Sequence, residues 1–265
     1  MPQVHSEDAD IFYEIVGNGP PVLLLHPFPV NHDFWTPVQQ QLSSRCRLIL
    51  PDLRAHGQSG AGEGPATMQK HVADLIRVLD HAEAGRVIFI GVSIGGYIFF
   101  ELWRRHRERI SALALCNTKA QPDTPEAKAA RLQAAAEVME RGVEPFAETM
   151  LPKLLGQTTR NTRPDLVEGV RKMILRMSAE DVSAVQRGMA ERPDSVPTLK
   201  TINVSTLIVT GDEDTMTGVP EAELMHRSIV NSQMKVISKA GHYSPWERPD
   251  EAGRMLRQFL DEVSG

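Results

Sequence analysis

In the stretch VIFIGVSIGGYIFF, Val87 to Phe100, one serine stands between glycines where an apolar run gives way to a helical pattern. Glycine is about 7% of an average chain, so G-x-S-x-G arises by chance in roughly one chain of this length in ten, and the spacing alone decides nothing. The setting decides more. A buried strand before the serine and a helix after it form the context in which the motif becomes a nucleophile elbow. A sharp turn there holds Ser93 in a strained backbone conformation, and Gly91 and Gly95 have no β-carbon to clash with it. Backbone N–H groups at the start of the following helix lie beside the hydroxyl, where they can stabilise negative charge. A near match, GQSGA at Gly57–Ala61, lacks the second glycine and the helix, so Ser59 reads as a loop residue.

A serine hydroxyl needs a base, and the base needs a carboxylate to fix its tautomer. The chain has nine histidines. Where this elbow sits on an α/β sheet the order is serine, acid, histidine, which leaves His106, His226 and His242. His106 falls on the helix leaving the elbow and His226 in the polar stretch MHRS, and both read as surface groups. His242 lies in KAGHYSPWERPDE, a loop between the last strand and the last helix, and is the candidate base. The acid is sought in GDED, where Asp212, Glu213 and Asp214 crowd one loop after the strand TLIVT.

These residues need a scaffold, and the flanking pattern supplies one. IFYEIVG and VLLLH read as strands joined by the turn NGPP, HDFWTPVQQQL as a helix start, and RLILP as the next strand. TMQKHVADLIRVLDHA repeats apolar residues at Val72, Leu75, Ile76 and Leu79, the period of a helix with one buried face. RVIFIG is the continuous apolar strand expected of a parallel sheet covered on both faces. Helix YIFFELWRRHRE and strand ALALC follow. From about Pro122 to Pro197 the alternation stops, and four segments read as helices with no strand among them. It resumes with strand VSTLIVT, helix EAELMHRSIV, strand MKVISK and helix EAGRMLRQFLDEV. The expected fold is therefore α/β, a mostly parallel sheet flanked by helices. The core is read as residues 1–121 and 198–265, with an all-helical insertion over 122–197.

Composition narrows the partners. With 265 residues, 41% hydrophobic and 24% charged, the chain can bury a large core. The net charge of −5 and the absence of a basic cluster argue against nucleic acid. The N-terminus carries acids where a secretory signal would be basic and apolar, and no apolar run approaches the roughly eighteen residues of a membrane span. Cys46 and Cys116 are too few for a disulfide framework and lack metal-ligand spacing, so both read as buried fillers in a reduced compartment. A cytoplasmic address, no metal and no membrane partner are the expectations.

Four separated motifs occur in order: LLLHPFP (Leu23–Pro29), PDLRAHGQS (Pro51–Ser59), GVSIGG, and the pair LIVTGDED with AGHYSPWE. In these motifs the chain resembles the α/β-hydrolases with a helical cap over nearly its whole length. The resemblance implies a cofactor-free serine hydrolase acting on a small-molecule ester or lactone. It implies that the Phe28 and Ile94 amides form the oxyanion hole; Pro27 replaces a common glycine but removes no needed donor. It favours Asp214, three residues beyond Gly211, as the acid, with Asp212 and Glu213 as solvated turn residues. Asn117, where some relatives place their acid, is uncharged. His26, Asp52, Arg54 and His56 read as loop organisers. LALCNTKAQPDTPEAKAAR is similar to 3-oxoadipate enol-lactonases and small esterases. Carbon–carbon bond hydrolases, perhydrolases and weakly catalytic small-molecule receptors or stress regulators share the same triad.

The cap segment has Met139, Phe146, Met150, Leu154, Met173 and Met177 at positions that suit an apolar pocket or an ordinary core. Phe146 and Met150 are taken as substrate-binding. Arg131, Arg171 and Arg176 could meet an acidic substrate, though solvated faces suit each better.

Overall fold

The computed structural model describes residues 2–264. Its strands are β1 (Gln3–Ser6), β2 (Ala9–Val16), β3 (Pro21–Leu25), β4 (Arg47–Pro51), β5 (Val87–Val92), β6 (Ile110–Cys116), β7 (Thr206–Gly211) and β8 (Ser232–Ile237). They form one sheet in the order β1-β2-β4-β3-β5-β6-β7-β8. β1–β2 and β2–β4 pair antiparallel, and every other neighbouring pair is parallel. β5 lies near the middle and is buried at every residue, because VIFIGV offers an apolar side chain to both faces. The fold is the α/β architecture expected, with β1 the strand the sequence reading missed.

Helices cover the sheet. α1 (Thr36–Ser43), α2 (Met68–His81) and α3 (Ile94–His106) come from the first half of the chain. The Thr67 side chain caps α2, accepting from the Lys70 amide, and Val72, Leu75, Val78 and Leu79 form its buried face. α3 is buried from Ile94 through Trp103, which suits a helix sunk against the central strands. Between β6 and β7 there are only helices: α4 (Pro125–Arg141), α5 (Val143–Leu154), α6 (Gln157–Thr162), α7 (Pro164–Ile174), α8 (Ala179–Ala190) and the short α9 (Val196–Leu199). α10 (Val219–Ser228), α11 (Ser244–Glu247) and α12 (Pro249–Ser264) complete the chain. Among the described residues no helix is long and apolar enough to cross a membrane. Cys46 and Cys116 are both free and buried.

The loop after β4 is organised by residues read as structural. Asp52 accepts from the His32 amide, the His32 ring and the Gln58 amide, and His26 Nε2 accepts from the Leu53 amide. Arg54 is fully buried between Asp74 and Asp8. Beside it lie three buried histidines, His26, His56 and His71. The His26 and His56 rings are 4.9 Å apart, and neither nitrogen of His71 has a hydrogen-bond partner among the described residues.

Burial depresses all three histidines, His26 down to about 3. The unfolded chain takes up these protons near pH 6.5 while the folded chain refuses them until lower pH, far lower for His26 and His71. Stability is therefore expected to fall as pH drops below about 6.5, by up to about 1.4 kcal/mol per pH unit for each excluded proton. His32 acts in the opposite sense: burial alone would depress it, but the Asp52 carboxylate raises it. His26 and His71 are pushed furthest, so they set the net trend. Thermal melts at pH 7.5 and pH 5.0 test this, with His71→Leu expected to flatten the pH dependence. Equal pH slopes in the two proteins would show that His71 does not carry it.

Candidate active site

Ser93 follows β5 and is the residue before α3, with φ of 55° and ψ of −110°. This left-handed backbone is costly for a residue with a side chain and persists only where the surroundings hold it. They do so through three bonds: the Ser93 amide donates to the Cys116 carbonyl, and the Ser93 carbonyl accepts from the Gly96 amide and the Thr118 hydroxyl. The glycines around it are required by close approach. A β-carbon on Gly91 would lie 3.0 Å from the Gly95 carbonyl carbon, and one on Gly96 would lie 2.3 Å from Thr118 Oγ1.

His242 meets this serine from the loop after β8, its Nε2 2.8 Å from Ser93 Oγ. On its other side His242 Nδ1 is 2.9 Å from Asp214 Oδ2. An ionised carboxylate can only accept, so Nδ1 carries the proton and Nε2 is left as the acceptor for the serine hydroxyl. Asp214 is buried and satisfied. Its Oδ1 accepts from the Met216 and Thr217 amides, and its Oδ2 accepts also from Asn117 Nδ2 and the Thr217 hydroxyl. Burial alone would raise this carboxyl, but His242 and these donors together hold it well below the ordinary carboxylate range.

The other two acids of GDED point elsewhere. Asp212 is exposed and accepts from the Lys239 amide and the Ser238 hydroxyl. Glu213 is not a solvated turn residue. It accepts from the amide and the hydroxyl of Thr158, in α6, because the turn after β7 aims alternate side chains at solvent, at the helical insertion and at His242. His106 and His226 lie at the surface, His226 bonded to Ser232 Oγ.

A family model described as alpha/beta hydrolase fold matches residues 20–249. The chain belongs to this family. An esterase from Thermogutta terrifontis, solved with malate bound, superposes with a TM-score of 0.96 at 36% identity, covering 100% of this chain and 99% of that one. The enol-lactonase of Burkholderia xenovorans LB400 gives 0.91 at 25% identity, covering 98% and 100%. In sequence the chain is 28% identical over 249 residues to 3-oxoadipate enol-lactonase 2 of Acinetobacter baylyi, 92% of this chain and 90% of that protein.

In this α/β-hydrolase-fold chain the Phe28 and Ile94 amides have no acceptor among the described residues. The Phe28 carbonyl, by contrast, accepts from the buried Tyr243 hydroxyl at 2.8 Å, so the residue after His242 also braces the loop after β3. A cavity of about 350 Å³ lies against α4 and α5, lined by Phe146, Met150, Val138, Met216, Lys119 and Arg131 among others. Its lining includes neither Ser93 nor His242. Phe146 links the two regions: it lines the cavity, and its ring centroid is 5.9 Å from that of Phe28.

Of the six apolar candidates in the helical insertion, Phe146 and Met150 line the cavity and the other four do not. Met139 is half exposed, while Leu154, Met173 and Met177 are buried in the core rather than lining the cavity. Arg131 lines the cavity but is paired with Asp123, Arg171 is held by Glu144 and Glu148, and Arg176 by Asp33. The reading also missed Asn117, Thr217, Tyr243 and Glu247. Asn117 is fully buried with φ of 44°, and its amide joins Asp214, the Gly241 carbonyl and the Ser244 hydroxyl. In the sequence its position just beyond β6 stands out only as a place where some relatives carry an acid. Among the described residues no group of three or more His, Cys, Asp and Glu side chains is arranged to hold a metal ion.

Proposed function

We propose that this protein is a cofactor-free serine hydrolase that cleaves carboxylic esters or lactones through an acyl-enzyme. The observation that carries this reading is the unbroken chain from Ser93 Oγ through His242 to Asp214, at 2.8 and 2.9 Å. Ser93 attacks the substrate carbonyl as His242 Nε2 takes its proton. The Phe28 and Ile94 amides hold the oxyanion, and Asp214 stabilises the imidazolium. His242 then passes the proton to the departing alkoxide, which leaves as an alcohol or, from a lactone, stays attached as the hydroxyl end of the opened ring. Water, deprotonated by the same histidine, releases the acid. The esterase and enol-lactonase relatives support this choice of substrate class, and fold alone would not.

In this reading residues 122–197 are a cap whose α5 sets the acyl-chain preference. The test is a panel of p-nitrophenyl esters and lactones of graded length on the pure protein. Turnover of about ten per second or more on a short ester is the expected result for an enzyme, and negligible turnover on every member would favour a receptor role. Phe146→Ala and Met150→Ala should change the relative kcat/KM between chain lengths by about fourfold per methylene gained or lost in the pocket, from the ~0.8 kcal/mol of one buried CH₂. Unchanged ratios across the panel would make both residues ordinary core.

A further inference from the structure

Glu247 lies outside the serine–histidine–aspartate chain, yet it joins two segments that matter to it. Its side chain is buried, with Oε1 accepting from the Gly241 amide and Oε2 from the Gly156 amide, both at 2.9 Å. Gly241 immediately precedes His242, and Gly156 is the turn between α5 and α6 of the cap. The two backbones touch: a β-carbon on Gly241 would lie 2.2 Å from the Gly156 nitrogen, and one on Gly156 would lie 2.8 Å from the Gly241 nitrogen. Flanking bonds follow the same seam, from the Tyr243 amide to the Leu154 carbonyl and from the Thr158 amide to Glu213. A carboxylate suits this place because it only accepts and has an oxygen for each N–H. Burial pushes the Glu247 carboxyl up from its ordinary value, opposed in part by the donors around it.

We propose that Glu247 is a positioning residue that holds the His242 loop and the cap's 154–158 turn as one unit, so that the base is in register with Ser93 only while the cap is seated. This rests on the reading of Ser93, His242 and Asp214 as the catalytic residues. A change made in the cap alone then reaches the chemistry, even for a substrate too short to touch the cap. Misplacing a reacting group by about 1 Å can cost on the order of 100-fold.

The experiment measures kcat and KM for p-nitrophenyl acetate, with melting temperature, in the wild type, Glu247→Gln, Gly156→Ala and the double variant. The glutamine keeps the shape but turns an NH₂ group toward one of the two amides. Gly156 has an ordinary φ of −60°, so alanine there acts through the seam and not through backbone strain. Each single substitution should lower kcat about 10- to 100-fold with KM changed less than about threefold. The double variant should be within about twofold of the worse single one, because both break the same link. A kcat within about twofold of wild type in either folded single variant, or a double loss equal to the product of the singles, overturns the proposal. If Glu247→Gln does not fold, Gly156→Ala decides alone by the same kcat criterion. A wild type whose acetate hydrolysis survives Ser93→Ala would instead overturn the catalytic reading beneath it, and this proposal with it.

Discussion

Ser93→Ala is expected to leave the fold intact and lower kcat by at least about 10⁴-fold, the scale of losing a nucleophile that acts as a unit with its base. The expectation follows from geometry that a decorative serine would not need. Its hydroxyl lies 2.8 Å from a histidine nitrogen that the buried Asp214 leaves free to accept a proton. Its backbone is held at φ of 55°, a conformation that carries a cost and that the Cys116 carbonyl and Thr118 hydroxyl maintain. Alanine keeps that backbone and the packing around it, so the loss should be chemical rather than structural. A fluorophosphonate probe should label Ser93 and no other serine. Full activity in the variant, or labelling that persists in it, would remove Ser93 from the mechanism.

What the sequence disclosed depended on whether a residue's role is local. β5 was legible because a run of six buried residues, apolar but for Gly91, has its natural home in a parallel sheet, and α2 because its apolar residues repeat at the helical period. β1 was not, since QVHS is short, polar and at the edge of the sheet. α6, α9 and α11 are four to six residues each, too short to show a period. Ser93 and His242 announce themselves through their own flanking residues. Asn117, Tyr243 and Glu247 do not: each acts on a segment distant in the chain or across a tight turn, and only the folded contacts disclose it. The three neighbouring acids after β7 lie between these cases. Composition cannot separate them, because what differs is the direction in which each side chain leaves the turn.

That direction makes the strongest prediction about the acid. Asp214→Asn should lower kcat by on the order of 10³–10⁴-fold, while Asp212→Asn should cost far less. Asp214 Oδ1 accepts from two backbone amides, those of Met216 and Thr217, and these donors cannot rotate away. An asparagine at 214 must therefore keep its carbonyl oxygen there, which puts its NH₂ group at the place of Oδ2. That group would face His242 Nδ1 and force it to accept, moving the imidazole proton to Nε2, where it blocks the serine hydroxyl from giving up its own. The same NH₂ would also oppose the Asn117 amide, now 3.0 Å from Oδ2, so the variant loses that bond as well. Asp212 has no such constraint, since among the described residues its exposed carboxylate serves only the Lys239 amide and the Ser238 hydroxyl. Kinetics on both variants at matched melting temperature decide the matter. The reverse ranking would make Asp212 the acid, and the two backbone amides would then have no hold on the tautomer of His242.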